Sequence, residues 1–302
     1  MPKLRCSPVT ALCASLLLPH AAWAQGPGTD IHLVSIHLSG DQVTFDRALN
    51  ITNRDGYDNQ PSFLPDGNSL LYSSNRGSQT DIYRYFIATQ ITERVTNTAP
   101  ESEYSPAIMP GTNMFSVVRV EADSTQRLWQ FDLNGANPRV VLTGIKPVGY
   151  HAWGDANTVA LFILGDSATP ATLQLADVRS GRAQIVAYNI GRSLHRVPGR
   201  AAISFTHRVP EYLVKQLDLV SGAVSPLMQL LSGNEYYAWL PDGSALMGLD
   251  SKLFRRVPTS DSGWQQVADL SDVGISGITR LAVSPAGDRL AIVAARPARQ
   301  GR

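Results

Sequence analysis

The chain has 302 residues, 43% of them hydrophobic and 17% charged, with a formal net charge of +1. That length buries a sizeable core, and the composition excludes a chain that stays disordered. The near-neutral balance excludes the basic footprint that nucleic-acid binding needs.

In chain order, the first element reads as an export signal. Lys3 and Arg5 supply its charge, residues 9–18 its apolar run, and Ala22-Trp23-Ala24 a small-x-small cleavage site. Residues 1–24 are therefore expected to be removed, which leaves 278 of the 302. The apolar run is too short to span a bilayer, and no later run approaches the roughly 20 residues of a transmembrane helix. Cys6 and Cys13, the two cysteines of the chain, both fall in this segment, so the exported form has no disulfide or thiolate chemistry. Leu12 precedes Cys13 before the apolar run has finished, which argues against a lipid-anchored cysteine. The remainder carries 24 Lys and Arg against 25 Asp and Glu, a net charge of −1. Residues 25–29 are read as a flexible mature N-terminus and residues 297–302 as a basic tail.

Residues 59–98 hold the clearest copy of a repeated unit. Four β-prone runs, at 60–63, 69–73, 81–86 and 92–96, are parted by turn chemistry such as Pro65-Asp66-Gly67 and Asn75-Arg76-Gly77-Ser78. Weaker copies recur, anchored at Pro65, Pro110, Gly154, Pro198, Pro241 and Pro285, with spacings of 45, 44, 44, 43 and 44. A period in the forties with four strands per unit predicts propeller blades. Nearly continuous apolar runs at 159–164 and 290–294 fit middle strands covered on both faces. The last repeat, 280–295, holds only the first two strands of a unit, whereas residues 30–52 hold only the last two. Joined, they make a sixth blade and close the ring, which removes two exposed strand edges. The expected fold is an all-β, six-bladed β-propeller over residues 30–296, one blade being shared between 30–52 and 278–296.

The stretch from Pro61 to Tyr85 spells P-x-x-x-P-D-G-x-x-L-x-Y-x-S-x-R-G-x-x-x-D-I-Y-x-Y and resembles the WD40-like propeller repeat of the TolB family. The match is fair at 235–250 and 280–295, and degenerate at 150–179 and 195–219. The resemblance implies a periplasmic propeller whose funnel receives a peptide or protein. TolB carries an α/β domain ahead of its propeller. Only about five residues lie between the expected cleavage site and the first strand here, so that domain is expected to be absent, and with it the partner it engages.

Propeller sites lie at one mouth of the axial channel, where the loops entering the inner strands converge. Here those loops are Gly56-Tyr57-Asp58-Asn59, Glu101-Ser102-Glu103-Tyr104, Gly149-Tyr150-His151, Ser193-Leu194-His195-Arg196, Asn234-Glu235-Tyr236-Tyr237 and Gly277-Ile278-Thr279-Arg280. The candidate binding residues are Tyr57, Asp58, Asn59, Glu103, Tyr104, Tyr150, His151, His195, Arg196, Glu235, Tyr236 and Arg280. Tyrosine offers a rigid surface with a polar tip at low entropic cost, although such rings also serve simply to plug a channel. Three residues before each anchor stand Ser62, Ala107, His151, His195, Ala238 and Ala282. Four are small, as crowding at the axis requires. The two imidazoles are either space-filling and hydrogen-bonded, or weak candidates for a metal with Glu103 or Glu235 as carboxylate ligand. Some TolB-like propellers are metal-dependent lyases with channel histidines. Arg76, Arg119 and Arg208, on the loops after the second strands, are expected at the same mouth, where mixed charge favours a polar partner surface over a purely anionic substrate.

No G-x-S-x-G elbow, H-E-x-x-H, phosphate-binding loop or dinucleotide fingerprint occurs. The leading expectation is an exported, non-catalytic scaffold, monomeric and without a cofactor, that binds a protein or peptide of the cell envelope at the channel mouth. The alternative is a metal-dependent lyase or hydrolase in the same funnel. A third reading is an accessory subunit that docks by a blade edge or flat face.

Overall fold

The computed structural model describes residues 28–39, 42–210 and 212–296. The expected export segment, with Cys6 and Cys13, most of the mature N-terminus and the basic tail lie outside the described residues.

Six antiparallel sheets are arranged as the blades of a propeller, and no α-helix occurs among the described residues. The shared blade opens the chain with β1 (Thr29–Ser39), β2 (Gln42–Phe45) and β3 (Leu49–Asn50). Blade one follows with β4 (Asp58–Phe63), β5 (Ser69–Asn75), β6 (Thr80–Phe86) and β7 (Ile91–Arg94). Blade two has β8 (Ser102–Ile108), β9 (Met114–Val120), β10 (Gln126–Asp132) and β11 (Arg139–Val140). Blade three has β12 (Val148–Trp153), β13 (Thr158–Ile163), β14 (Thr172–Asp177) and β15 (Arg182–Tyr188). Blade four has β16 (Ile190–Arg196), β17 (Ala202–His207), β18 (Leu213–Asp218) and β19 (Val224–Gln229). Blade five has β20 (Tyr237–Trp239), β21 (Ala245–Leu249), β22 (Lys252–Arg256) and β23 (Gln265–Asp269). The chain returns to the shared blade with β24 (Ile278–Val283) and β25 (Arg289–Ala295).

The N-terminal strand β1 pairs with β25 over seven residues, from Thr29↔Ala295 to Ser35↔Arg289, which closes the ring. Arg296 adds an ion pair to Asp30 at 3.6 Å. The outermost strand of this blade is split: β2 and β3 each pair with a different part of β1.

The hairpin between the first two strands of each blade is where the sequence period is visible. Gly67, Gly111, Gly199, Gly243 and Gly287 all sit there with φ between 67° and 83°, a conformation that costs glycine nothing. In blade three the turn is held by Asp155, whose carboxylate accepts the Asn157 and Thr158 N–H groups. The core is distributed as six apolar clusters, one between each pair of neighbouring blades. Middle strands are thus covered on both faces: Val159–Ile163 in β13 and Leu290–Ala294 in β25 are buried without interruption. Indole groups cross two of these seams. Trp153 Nε1 donates to Ser116 Oγ and Trp239 Nε1 to Ser204 Oγ, each at 2.8 Å.

Candidate functional site

The six inner strands β4, β8, β12, β16, β20 and β24 line an axial cavity of about 610 Å³. Ser62, Ala107, His151, His195, Ala238 and Ala282 all face it. Five of the inner strands shift register near their first residues, for example between Asn59 and Ser62 and between Tyr104 and Ala107. Such bulges bend a strand and re-aim its side chains. Gln60 and Ser105 take positive φ there, and the Gln60 side chain accepts the Ser105 N–H at 2.8 Å.

Above these bulges the channel mouth carries one large side chain from each blade: Tyr57, Tyr104, Tyr150, Arg192, Tyr236 and Arg280. Tyr57 and Tyr104 meet edge to face at 6.4 Å. The Arg280 guanidinium lies 4.2 Å from the Tyr236 ring and 5.3 Å from the Tyr150 ring, a cation–π arrangement. Arg192 lines the same cavity as Tyr150 and Tyr236 and interacts electrostatically with both. Burial raises the Tyr57 and Tyr236 hydroxyls above the usual phenol range, opposed by Arg280, so both remain neutral donors.

The acidic candidates are occupied differently from the expectation of a mixed-charge rim. Asp58 is fully buried, with Arg54 at 2.9 Å and the Ser74 hydroxyl also on its carboxylate. Burial raises its pKa, and those two partners oppose the shift. Glu103 is also fully buried. It accepts from Thr98 and Thr96 and pairs with Arg119 Nε at 3.3 Å. Burial likewise raises its pKa, against those partners. Arg119 reaches Glu101 as well, at 3.2 Å, and stacks on Trp129. Glu235 holds Arg208 through both carboxylate oxygens, at 3.0 and 2.8 Å, and accepts the Arg192 backbone N–H at 3.3 Å. Gly191 is required beside it, because a Cβ there would run into the Glu235 carboxylate and Thr206. Arg76 is held by Ser74, Tyr72 and the Tyr83 ring. Arg208 and Glu235 brace blade four to blade five, the other pairs tie strands and loops within one blade, and among the described residues Arg192 and Arg280 are in no ion pair.

Asn59 spends its side-chain oxygen on the Gln60 N–H at 2.7 Å. Residues 193–196, expected as a loop, are strand: β16 begins at Ile190, and its bulge between Ile190 and Leu194 moves the mouth position to Arg192. Arg196 consequently stands at the far end of β16, next to the hairpin. Arg192 was missed because residues 191–192 precede the stretch that the repeat spacing assigned to the loop. A long polar residue just after Gly191 was the available signal.

The histidines lie deeper than the mouth and apart from its carboxylates. His151 Nε2 shares a 2.7 Å hydrogen bond with Ser116 Oγ, while its Nδ1 has no partner. His195 Nε2 shares one of 2.9 Å with Ser193 Oγ, and its ring packs edge-on against Tyr237 at 4.8 Å. Burial lowers both to about 4, with nearby Arg280 adding to the effect at His195, so both are neutral at neutral pH. Among the described residues no three His, Cys, Asp or Glu side chains are grouped as a metal would need. With Glu103 and Glu235 both committed to arginines, this donor set does not fit a metal site.

No protein-family model matches the sequence, and no curated protein matches it. Solved structures share the fold. The putative TolB from Agrobacterium tumefaciens is similar with a TM-score of 0.69 and 17% identity, over 90% of this chain and 99% of that one. TolB from Acinetobacter baumannii is similar with a TM-score of 0.56 and 14% identity, over 90% of this chain but only 64% of that one. An oligogalacturonate lyase in complex with manganese is similar with a TM-score of 0.51 and 14% identity, over 86% of this chain and 77% of that one. At these identities the likeness is one of fold.

Proposed function

We propose that this chain is an exported, non-catalytic binding protein, periplasmic and monomeric, which docks a peptide or protein segment at the channel mouth. Residues 1–24 are its cleaved signal and residues 30–296 its propeller. The observation that carries the reading is the set of four tyrosines and two arginines gathered at one end of the axial cavity. Convergent polar groups at a concavity are the default location of a site, and tyrosine and arginine are the side chains that dominate binding energy at interfaces. The fold likeness to TolB proteins agrees with this reading. No helix among the described residues is long and apolar enough to cross a membrane.

The alternative, a metal-dependent lyase or hydrolase, takes its support from the lyase of the same fold solved with manganese. The separation of the two histidines from any free carboxylate weighs against it.

Selection of a displayed peptide library on the exported chain tests the proposal. Selected peptides should lose at least tenfold in affinity for a Tyr150→Ala/Tyr236→Ala variant that still folds, which is about 1.4 kcal/mol. Peptides that bind this variant as tightly as the parent would overturn docking at the mouth.

A further inference from the structure

We infer that the mouth recognises the free carboxyl terminus of a peptide whose last residues are apolar. This inference rests on the docking function proposed above and specifies its ligand.

Charge is the first argument. Three carboxylates near the mouth are paired, Asp58 with Arg54, Glu103 with Arg119 and Glu235 with Arg208, while Glu101 shares Arg119 and Asp250 lines the adjoining cavity. Among the described residues neither Arg192 nor Arg280 forms an ion pair. Glu235 acts electrostatically on Arg192, but its oxygens are spent on Arg208 and on the Arg192 backbone N–H. Arg280 lies against both the Tyr150 and Tyr236 rings, and Arg192 lines the same cavity beside them. Two rings lie beside the Arg280 guanidinium, and none of its N–H groups has a hydrogen-bond partner among the described residues. Burial keeps the Tyr236 phenol protonated, so it donates to an anion and does not repel it. Two guanidinium edges beside neutral hydroxyls form a donor set matched to a carboxylate.

Shape is the second argument. Tyr236 also borders a neighbouring cavity of about 870 Å³ on the same face, whose wall includes Tyr212, Leu230, Leu249 and Ile278. Tyr212 and Leu249 are exposed there. An anion held at Arg192 and Arg280 therefore has apolar surface beside it, where a carboxy-terminal side chain can be buried. A fully charged ligand would leave that wall unused. A bare inorganic anion would as well.

The test uses pools of N-acetylated hexapeptides, random at four positions and apolar at the last two. Three pools are compared on the exported chain: free acids, C-terminal amides, and amides with an internal glutamate. The free acids should bind, and amidation should weaken them by about tenfold or more, the scale of a charge-assisted pair. Arg192→Gln and Arg280→Gln, each confirmed as folded by circular dichroism, should remove most of the difference between acid and amide. Equal binding of acids and amides, lost in Tyr150→Ala/Tyr236→Ala, would leave docking at the mouth intact and overturn the carboxylate reading. Amides with an internal glutamate binding as well as the acids would overturn it in favour of a side-chain anion. Binding of oligogalacturonate with no binding of any peptide pool would overturn both this inference and the docking function.

Discussion

Two tiers of the axial channel, each built from one residue per blade, treat their polar groups in opposite ways. The deeper tier, Ser62, Ala107, His151, His195, Ala238 and Ala282, is mostly small, and its two imidazoles are turned onto serines of the scaffold. The upper tier, Tyr57, Tyr104, Tyr150, Arg192, Tyr236 and Arg280, is large and leaves two guanidiniums without a carboxylate. His151 reaches across a seam to Ser116 and His195 bonds Ser193 of its own strand, whereas Arg192 and Arg280 are in no ion pair among the described residues, as the proposed ligand site requires. In five of the six blades a bulge separates the tiers.

The comparison breaks most sharply under substitutions that should move one property and not the other. Trp239→Ala, in the seam between blades four and five, removes a buried indole and its bond to Ser204. It should cost about 3–5 kcal/mol of stability in chemical denaturation. Arg280→Gln should do the reverse. Its stability should fall by only about 1–2 kcal/mol, the scale of the two cation–π contacts of this half-buried side chain, while peptide affinity by isothermal titration falls about tenfold. Loss of stability in Arg280→Gln comparable to that in Trp239→Ala would make the upper tier a structural plug.

A smaller effect distinguishes the deeper tier by pH. His151 and His195 titrate near 4 in the folded chain against about 6.5 unfolded, so the unfolded state binds more protons between those values. Their contribution to stability is full above pH 6.5 and is lost as pH falls toward 4. His151→Gln/His195→Gln should flatten the denaturation profile in that window relative to the parent. An unchanged slope would mean the imidazoles are not buried neutral. The smallest effect is expected from manganese: addition should leave the melting temperature within about 1 °C, since no binding means no linkage stabilisation. A rise of several degrees, abolished by the histidine changes, would restore the metal reading.

The architecture was legible because turn chemistry repeats where geometry forces it. The hairpin glycines mark the blades, and complementary half-repeats at 30–52 and 280–295 foretell the pairing of β1 with β25. The split of the outer strand into β2 and β3 left no such mark. At the mouth the sequence anticipated the placement of the tyrosines and Arg280, but not that of Arg192 or the burial of Asp58 and Glu103. A bulge in β16 exchanged Arg196 for Arg192, and spacing alone does not reveal a bulge. Asp58 and Glu103 looked like rim charges, yet their partners Arg54 and Arg119 bury them. Which carboxylate meets which arginine depends on contacts across strands, and a period read along the chain carries no record of those.

Site-specific photo-crosslinking in the producing cell tests the central claim most directly. A benzoyl-phenylalanine probe would replace Tyr104 at the mouth, Arg196 at the far end of the channel, or Ile185 on the exposed outer strand β15. The account predicts one discrete crosslinked partner from position 104, absent when Arg192→Gln/Arg280→Gln is added, and none from 196 or 185. The same partner captured from 185 or 196, or a crosslink at 104 indifferent to the two arginines, would contradict it.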